Sequence, residues 1–227
     1  MSAAQAEPAS RAHFIKNTYL HLGGAILAFG IILSALLRIP GIDETVFSLL
    51  GASQFSWLIV LGLFMAVSYI ADKLARSEAS IATQYLGLGL FTLAQAVIFL
   101  PMIIMAQYQT GDNSLIFKAF GVTVAVFGAL SLIALTTKKD FSFLGGFLKI
   151  AFIAALGVIV ASILFKFSLG IIFSGVMVLI IGAMVLYQTS AMLHHYRTDQ
   201  HVSAALGLFS SFATMLWYVL RIFMSRE

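Results

Sequence analysis

Long apolar runs separated by short polar stretches dominate the chain from residue 19 onward. A helix needs about 20 predominantly apolar residues to cross roughly 30 Å of hydrocarbon. Seven runs approach that length. The pattern therefore predicts seven transmembrane helices, over 19–37, 55–71, 82–106, 115–136, 144–165, 169–187 and 203–223.

Two parts of this pattern decide the number of spans. Only "KFSL" (166–169) separates the fifth run from the sixth, and a single helix over both would be too long for a bilayer. We therefore predict a tight hairpin at Lys166–Ser168. The run 55–71 is short, but Phe55 and Trp57 can lie at the interface and extend it. Six spans, with one segment lying in the interface or re-entering it, is the alternative.

The composition agrees with a membrane protein, since 61% of the 227 residues are hydrophobic and only 10% are charged. A soluble domain carries roughly 25% charged residues. Backbone polar groups must be satisfied inside the hydrocarbon, so the predicted fold is an all-α polytopic helical bundle. The predicted domain covers 19–223. The polar residues 1–18 form an expected disordered tail without a cleavable signal, and 224–227 form a short second tail.

Lysine and arginine in the flanks predict the orientation, because such residues are enriched on the cytoplasmic side. A cytoplasmic N-terminus places seven bases inside, or eight if Lys149 snorkels there, and five outside. We therefore predict an external C-terminus. The inside bases are Arg11, Lys16, Lys73, Arg76, Lys138, Lys139 and Arg197, and the outside bases are Arg38, Lys118, Lys166, Arg221 and Arg226.

Small residues recur in the spans and predict close helix packing, because they let helix backbones approach each other. They are Gly23, Gly24, Ala25, Ala28, Gly87, Gly89, Gly145, Gly146 and Gly157.

Several functional classes lose support from residues that the chain lacks. No ionisable residue lies near the middle of a predicted span, whereas pumps and coupled transporters usually keep one there. The last span has no lysine for a retinal Schiff base. Cysteine is absent, and so are the common hydrolase, metalloprotease and phosphate-loop motifs. We expect no catalysis, no cofactor, no metal site and no nucleic-acid partner.

Polar residues do occur at depth, and they have two interpretations. They form hydrogen bonds that hold neighbouring helices together, or they line an aqueous path. The second interpretation assigns Thr92, Gln95 and Thr214 to the path. The other deep polar residues are Gln188, Thr189, Ser210 and Ser211.

Three histidines stand between the last two spans, at His194, His195 and His201. Adjacent residues on a helix point about 100° apart, so the first two would not grip one metal ion together. We interpret all three as surface-loop histidines, with pH sensing as the alternative.

The chain resembles the Bax inhibitor-1 / YccA family of seven-helix membrane proteins. The tract "TTKKDFSFLGGFL" (136–148) is similar to the family's loop between helices four and five, and the preceding 117–135 resembles helix four. The tract 83–96 resembles helix three, and 201–223 resembles the last helix. Together these tracts place the resemblance over residues 14–223.

The resemblance implies functions that the residues alone do not. Several family members are pH-sensitive calcium leaks, eukaryotic relatives suppress cell death, and one bacterial branch is associated with a membrane-bound ATP-dependent protease. In leak-type members an Asp near the end of helix six pairs with an Asp in helix seven. Carried over, these positions are Gln188 and Ser211. The arginine that engages the pair in helix two has no counterpart in 55–71.

These substitutions change the expected chemistry. Paired carboxylates share a proton and bind cations, whereas an amide and a hydroxyl do not titrate and bind Ca²⁺ weakly. We therefore expect a non-enzymatic protein of the bacterial inner membrane that modulates a process such as quality-control proteolysis or a stress response through protein contacts. The alternative is a pH- or calcium-linked leak with a polar path between helices three, six and seven.

Overall fold

The computed structural model describes residues 3–53, 55–78, 80–137 and 139–225. Lys138 and Arg226, counted above among the flanking bases, lie outside these ranges, as does Glu227. Within them the chain forms eight helices: α1 (Pro8–Leu36), α2 (Ile42–Gly51), α3 (Ser56–Ala75), α4 (Ile81–Thr110), α5 (Ser114–Thr136), α6 (Leu144–Leu164), α7 (Ile171–His194) and α8 (His201–Met224).

All of these helices except α2 are long and apolar enough to cross a membrane. The prediction of a seven-span helical bundle is confirmed. The uncertain break between the fifth and sixth spans lies where the sequence placed it, since α6 ends at Leu164 and α7 begins at Ile171. Lys166 adopts a positive φ of 57° in this turn.

The N-terminal boundary was predicted wrongly, because α1 begins at Pro8 rather than near residue 19. Pro8 occupies the first turn, where a missing N–H costs nothing. Phe14 and Thr18 are buried against the bundle, and the Ala3 amide donates to the Tyr196 carbonyl at 2.8 Å. Residues 8–18 therefore form helix, because tertiary contacts supply the burial that their composition did not indicate.

The sequence analysis also missed α2, which lies in the connection between α1 and α3. Gly41 precedes it with a φ of 71°, a conformation that glycine adopts without strain. Asp43 and Glu44 lie in its first turn, where acidic side chains interact favourably with the helix dipole. The Tyr108 hydroxyl at the end of α4 donates to the Asp43 carboxylate, and this bond lowers the pKa of Asp43.

Helix α8 is the centre of the bundle. Most of its side chains are buried, and it packs against α1, α4, α5 and α7. Helices α3 and α6 lie at the periphery, on α4 and α7 respectively, and bury few side chains. Aromatic contacts join Phe209 of α8 to Phe29 and Phe91, and Phe212 to Phe127.

The predicted role of small residues holds at some positions only. A Cβ on Gly87 would lie 2.5 Å from both the Ala71 carbonyl oxygen and the Ala75 amide nitrogen, so α3 and α4 touch backbone to backbone. A Cβ on Gly145 would meet the Tyr187 ring at 3.1 Å. At the other predicted glycines an added Cβ would meet nothing within 4 Å: Gly23, Gly24, Gly89, Gly146 and Gly157.

The two ends of the bundle have separate sets of polar contacts. At the end that holds the N-terminus, called here the N-terminal end, Arg197 pairs with Glu78 at 2.8 Å and with Asp199 at 2.7 Å. At the opposite, C-terminal end, the Arg221 guanidinium donates to the Leu169 carbonyl at 2.7 Å. This bond fastens the turn between α6 and α7 to the central helix.

Candidate functional site

Three consecutive polar residues near the end of α7 organise the candidate site. We call Gln188, Thr189 and Ser190 the α7 triplet. Successive residues of a helix point about 100° apart, so the three side chains face different neighbours. Each of them reaches a different element of the bundle, as follows.

Gln188 faces α8, where the Ser211 hydroxyl donates to its Oε1 at 2.8 Å. Ser211 is buried, and Gly207 one turn earlier lies beside the Gln188 amide, since a Cβ there would be 3.7 Å from Nε2. The two positions singled out from the sequence are therefore in direct contact. Their carboxylate counterparts in leak-type relatives remain a prediction from the resemblance.

The Gln188–Ser211 pair is a neutral contact between two helices. Such bonds are worth about 0.6 kcal/mol on average and at most about 1.7 kcal/mol in membrane bundles. Neither side chain carries a charge that changes between acid and neutral pH. The pair can therefore hold α7 against α8, but it cannot supply the negative charge that strong Ca²⁺ sites use.

Thr189 points about 100° away from Gln188 around the helix, toward α1 and α5. It is fully buried, and its surroundings include the Tyr19 hydroxyl, which also faces Ser131. The three groups form a small polar cluster inside an otherwise apolar interface.

Ser190 binds the loop between α5 and α6. Its hydroxyl accepts from the Phe141 amide at 2.9 Å and donates to Asp140 Oδ1 at 3.1 Å. Asp140 also accepts from the Ser142 amide at 2.9 Å and lies 3.5 Å from His195 Nε2. The bond from the Ser142 amide is the main reason that the pKa of Asp140 is lowered.

This loop is the tract that carried part of the family resemblance, but the sequence analysis assigned it no contact. An aspartate two residues before a serine often accepts the serine's backbone amide, and that pattern was readable here. The partner Ser190 was not readable, because 50 residues separate it from Asp140.

The other residues of the predicted polar path do not join this pair. The Thr92 hydroxyl donates to the Leu88 carbonyl of its own helix at 2.8 Å, so the hypothesis of a bond to a neighbouring helix is wrong for Thr92. Thr214 likewise donates to Ser210 at 2.7 Å. Gln95 is buried one turn from Thr92. Within the described residues, no hydrogen bond links these three side chains to Gln188 or Ser211.

The histidines divide into two groups. His194 Nδ1 lies 2.9 Å from its own helix's Ser190 carbonyl, and His195 is an exposed partner of Asp140. His201 begins α8, and its ring lies against the His21 ring with 4.9 Å between ring centres and a tilt of 56°. The sequence does not reveal the contact between His21 and His201, because α1 and α8 are distant in the chain. No group of three or more metal-binding side chains occurs in the described ranges.

His21 also contacts α4, since its Nε2 lies 2.7 Å from the Tyr85 hydroxyl. Its Nδ1 lies 2.6 Å from the Asn17 carbonyl oxygen, which only accepts. In the neutral imidazole Nδ1 must therefore carry the proton, and the Tyr85 hydroxyl donates to Nε2. His21 thus joins α1, α4 and α8 at the N-terminal end.

Comparison with known proteins shows which family the chain matches. The family described as "Inhibitor of apoptosis-promoting Bax1" matches residues 11–227. The chain belongs to the Bax inhibitor-1 family. An uncharacterized protein of Pseudomonas aeruginosa, PA2604, is 30% identical over 98% of this chain and 94% of its own length.

Two further Bax inhibitor-1 relatives carry informative names. "Modulator of FtsH protease YccA" of Escherichia coli K12 is 27% identical over 94% of this chain and 91% of its own length. "Inner membrane protein YccA" of Escherichia coli O6:H1 matches to the same extent. The sequence-based assignment to the Bax inhibitor-1 / YccA family is confirmed.

Proposed function

We propose that this Bax inhibitor-1 protein lies in the bacterial inner membrane and modulates a membrane-bound ATP-dependent protease through protein contacts, without catalysis of its own. The observation that carries the proposal is the likeness to the FtsH modulator YccA over almost the full length of both chains. A likeness of that extent includes all seven spans and both ends of the bundle, so it supports a shared mode of action.

The Gln188–Ser211 pair supports a function through protein contacts rather than one through ion passage. Gln188 and Ser211 are joined by one hydrogen bond and carry no charge, which suits a contact that holds two helices together. A pH-gated cation site would need groups that titrate, and these two do not.

The N-terminal end offers the surface for a partner. Helix α1 has 29 residues and is about 43 Å long at 1.5 Å per residue, so it exceeds the roughly 30 Å of hydrocarbon. Its first turns carry the polar residues and therefore project beyond the membrane. His13 and Lys16 are exposed there, while Phe14 is buried and holds the projection against the bundle.

The flanking bases support a cytoplasmic N-terminus by the positive-inside rule. This orientation would put the projection of α1 on the side of the membrane where ATP is available to the protease.

Reconstitution tests the proposal. The purified chain and E. coli FtsH are placed in the same proteoliposomes, and degradation of a membrane substrate is followed with and without the chain. We expect the chain to change the degradation rate and to co-purify with FtsH. Lys16→Glu on the projection should reduce both effects. Lys118→Glu is the matched control, since Lys118 is also exposed but lies at the C-terminal end. No change in rate and no co-purification would overturn the proposal.

A calcium-flux assay in liposomes from pH 5 to pH 8 tests the leak alternative. We expect no flux above that of protein-free liposomes. Robust flux that is lost in Gln188→Leu would contradict the proposed function and favour the polar path.

A further inference from the structure

A groove of about 500 Å³ runs along the outer surface of the bundle between α1 and α4. Its walls are apolar over most of their length, and the residues of α1 that line it extend from Leu20 to Ile32. Twelve residue steps along a helix cover about 18 Å, which is close to the thickness of one leaflet of hydrocarbon. The groove therefore matches the length of one lipid chain.

Missing side chains create this groove. Gly24 on one wall and Gly89 on the other are exposed, and a Cβ on either would meet nothing within 4 Å. The helices touch deeper in the bundle, where Phe29 packs edge-on against Phe99 at 5.1 Å. Exposed apolar side chains flank the groove, among them Leu20 and Leu27. Since these helices span the membrane, the groove faces lipid chains.

One end of the groove is polar. His21 and Tyr85 belong to its lining and hydrogen-bond to each other across it. The His201 ring lies against His21, and His13 acts electrostatically on His201. Two imidazoles thus meet at the N-terminal end, and Lys16 is exposed one turn before Leu20. Asp199, which also acts electrostatically on His201, has its carboxylate paired with Arg197.

We propose that this groove is a binding site for an anionic phospholipid, with one acyl chain between Gly24 and Gly89 and the headgroup at the His21–Tyr85 pair. The apolar walls select a chain, and the Lys16 ammonium at the same end selects a negative headgroup by charge complementarity. The His21 ring and the Tyr85 hydroxyl supply hydrogen-bonding groups beside it. The site shares Lys16 with the surface proposed for the protease contact, but lipid binding to the purified chain tests it with no protease present.

Filling the groove tests the chain-binding part. The full chain is purified in mild detergent and titrated with phosphatidylglycerol, and native mass spectrometry counts the bound lipid. Gly24→Leu and Gly89→Leu place a side chain into open space from opposite walls, so each should weaken binding at least fivefold. Gly121→Leu is the matched control: Gly121 is an exposed glycine of α5 whose Cβ also meets nothing within 4 Å, and binding should not change.

Headgroup selection is tested with phosphatidylethanolamine of the same chain composition. We expect the wild type to retain phosphatidylglycerol at least fivefold better, and Lys16→Gln to lose this preference while still binding a chain. Thermal unfolding identifies any variant that fails to fold. If Gly24→Leu or Gly89→Leu fails to fold, lipid binding by the other of these two variants tests the proposal. Equal binding by the folded groove variants and the wild type would overturn the proposal. Equal retention of the two lipids by the wild type would overturn its anionic part.

Discussion

The contact of α3 with α4 at Gly87 yields the sharpest stability prediction. An alanine Cβ there would lie 2.5 Å from two backbone atoms of α3, at Ala71 and Ala75. Ordinary contact begins near 3.4 Å, so the helices must separate locally by about 0.9 Å. Backbone atoms cannot turn aside as a flexible side chain can. The steric conflict must therefore be relieved by movement of a whole helix.

The magnitude follows from two opposed effects. Overpacking of a close contact costs about 1–3 kcal/mol, and the two backbone atoms met at 2.5 Å place Gly87 in the upper part of that range, at about 2–3 kcal/mol. Alanine regains about 1 kcal/mol of helix propensity relative to glycine. We therefore expect Gly87→Ala to destabilise the protein by about 1–2 kcal/mol. For a chain of this size that loss corresponds to a fall in Tm of about 2–8 °C.

Thermal unfolding in detergent, followed by circular dichroism, measures the effect. Gly89→Ala is the matched control, because it lies two residues along the same helix and its Cβ meets nothing. That variant should be as stable as the wild type or slightly more stable. Equal Tm values for Gly87→Ala and the wild type, or an equal loss in both variants, would refute the account of this contact.

Two further predictions concern the polar contacts of α7. Ser211→Ala should lower the free energy of unfolding by about 0.6–1.7 kcal/mol. Gln188→Leu should lower it less in the Ser211→Ala variant than in the wild type, because the bond is already lost there. Strictly additive losses in this double-mutant cycle would contradict the bond. The pKa of Asp140 is lowered, so its contribution is complete above the ordinary carboxyl pKa and is lost as the pH falls through the lower native value. Hydrogen exchange at the Phe141 and Ser142 amides, corrected for intrinsic rate, should show protection that declines over that acidic range and is weak at every pH in Asp140→Ala, which lacks the acceptor oxygen. Unchanged protection in this variant would refute the role given to the carboxylate.

The sequence determined the number and order of the spans, because the length of an apolar run is a local property that can be compared directly with the thickness of a bilayer. It also located the break between α6 and α7 from four residues. The family could be recognised for a related reason, since the order of short tracts along the chain can be compared with that of a family without three-dimensional information.

Tertiary structure decided which residues meet. The composition of residues 8–18 indicated a tail, yet contacts of Phe14 and Thr18 with the bundle make them helix. Gly87 and Gly89 look equivalent in the sequence, but one lies at a backbone contact and the other in a groove. The partners of His21 and Ser190 were equally unreadable, because they lie on distant helices and only the packing angle of each helix selects them.

The Gln188–Ser211 pair was indicated in part by the sequence and decided in part by the tertiary structure. The resemblance alone gave a reason to examine both positions together, and the structure joins them by one hydrogen bond. Hydropathy decides what enters the membrane, whereas the direction of each side chain around its helix axis decides which polar groups satisfy each other there. That direction depends on helix rotation and crossing, which are properties of the assembled bundle.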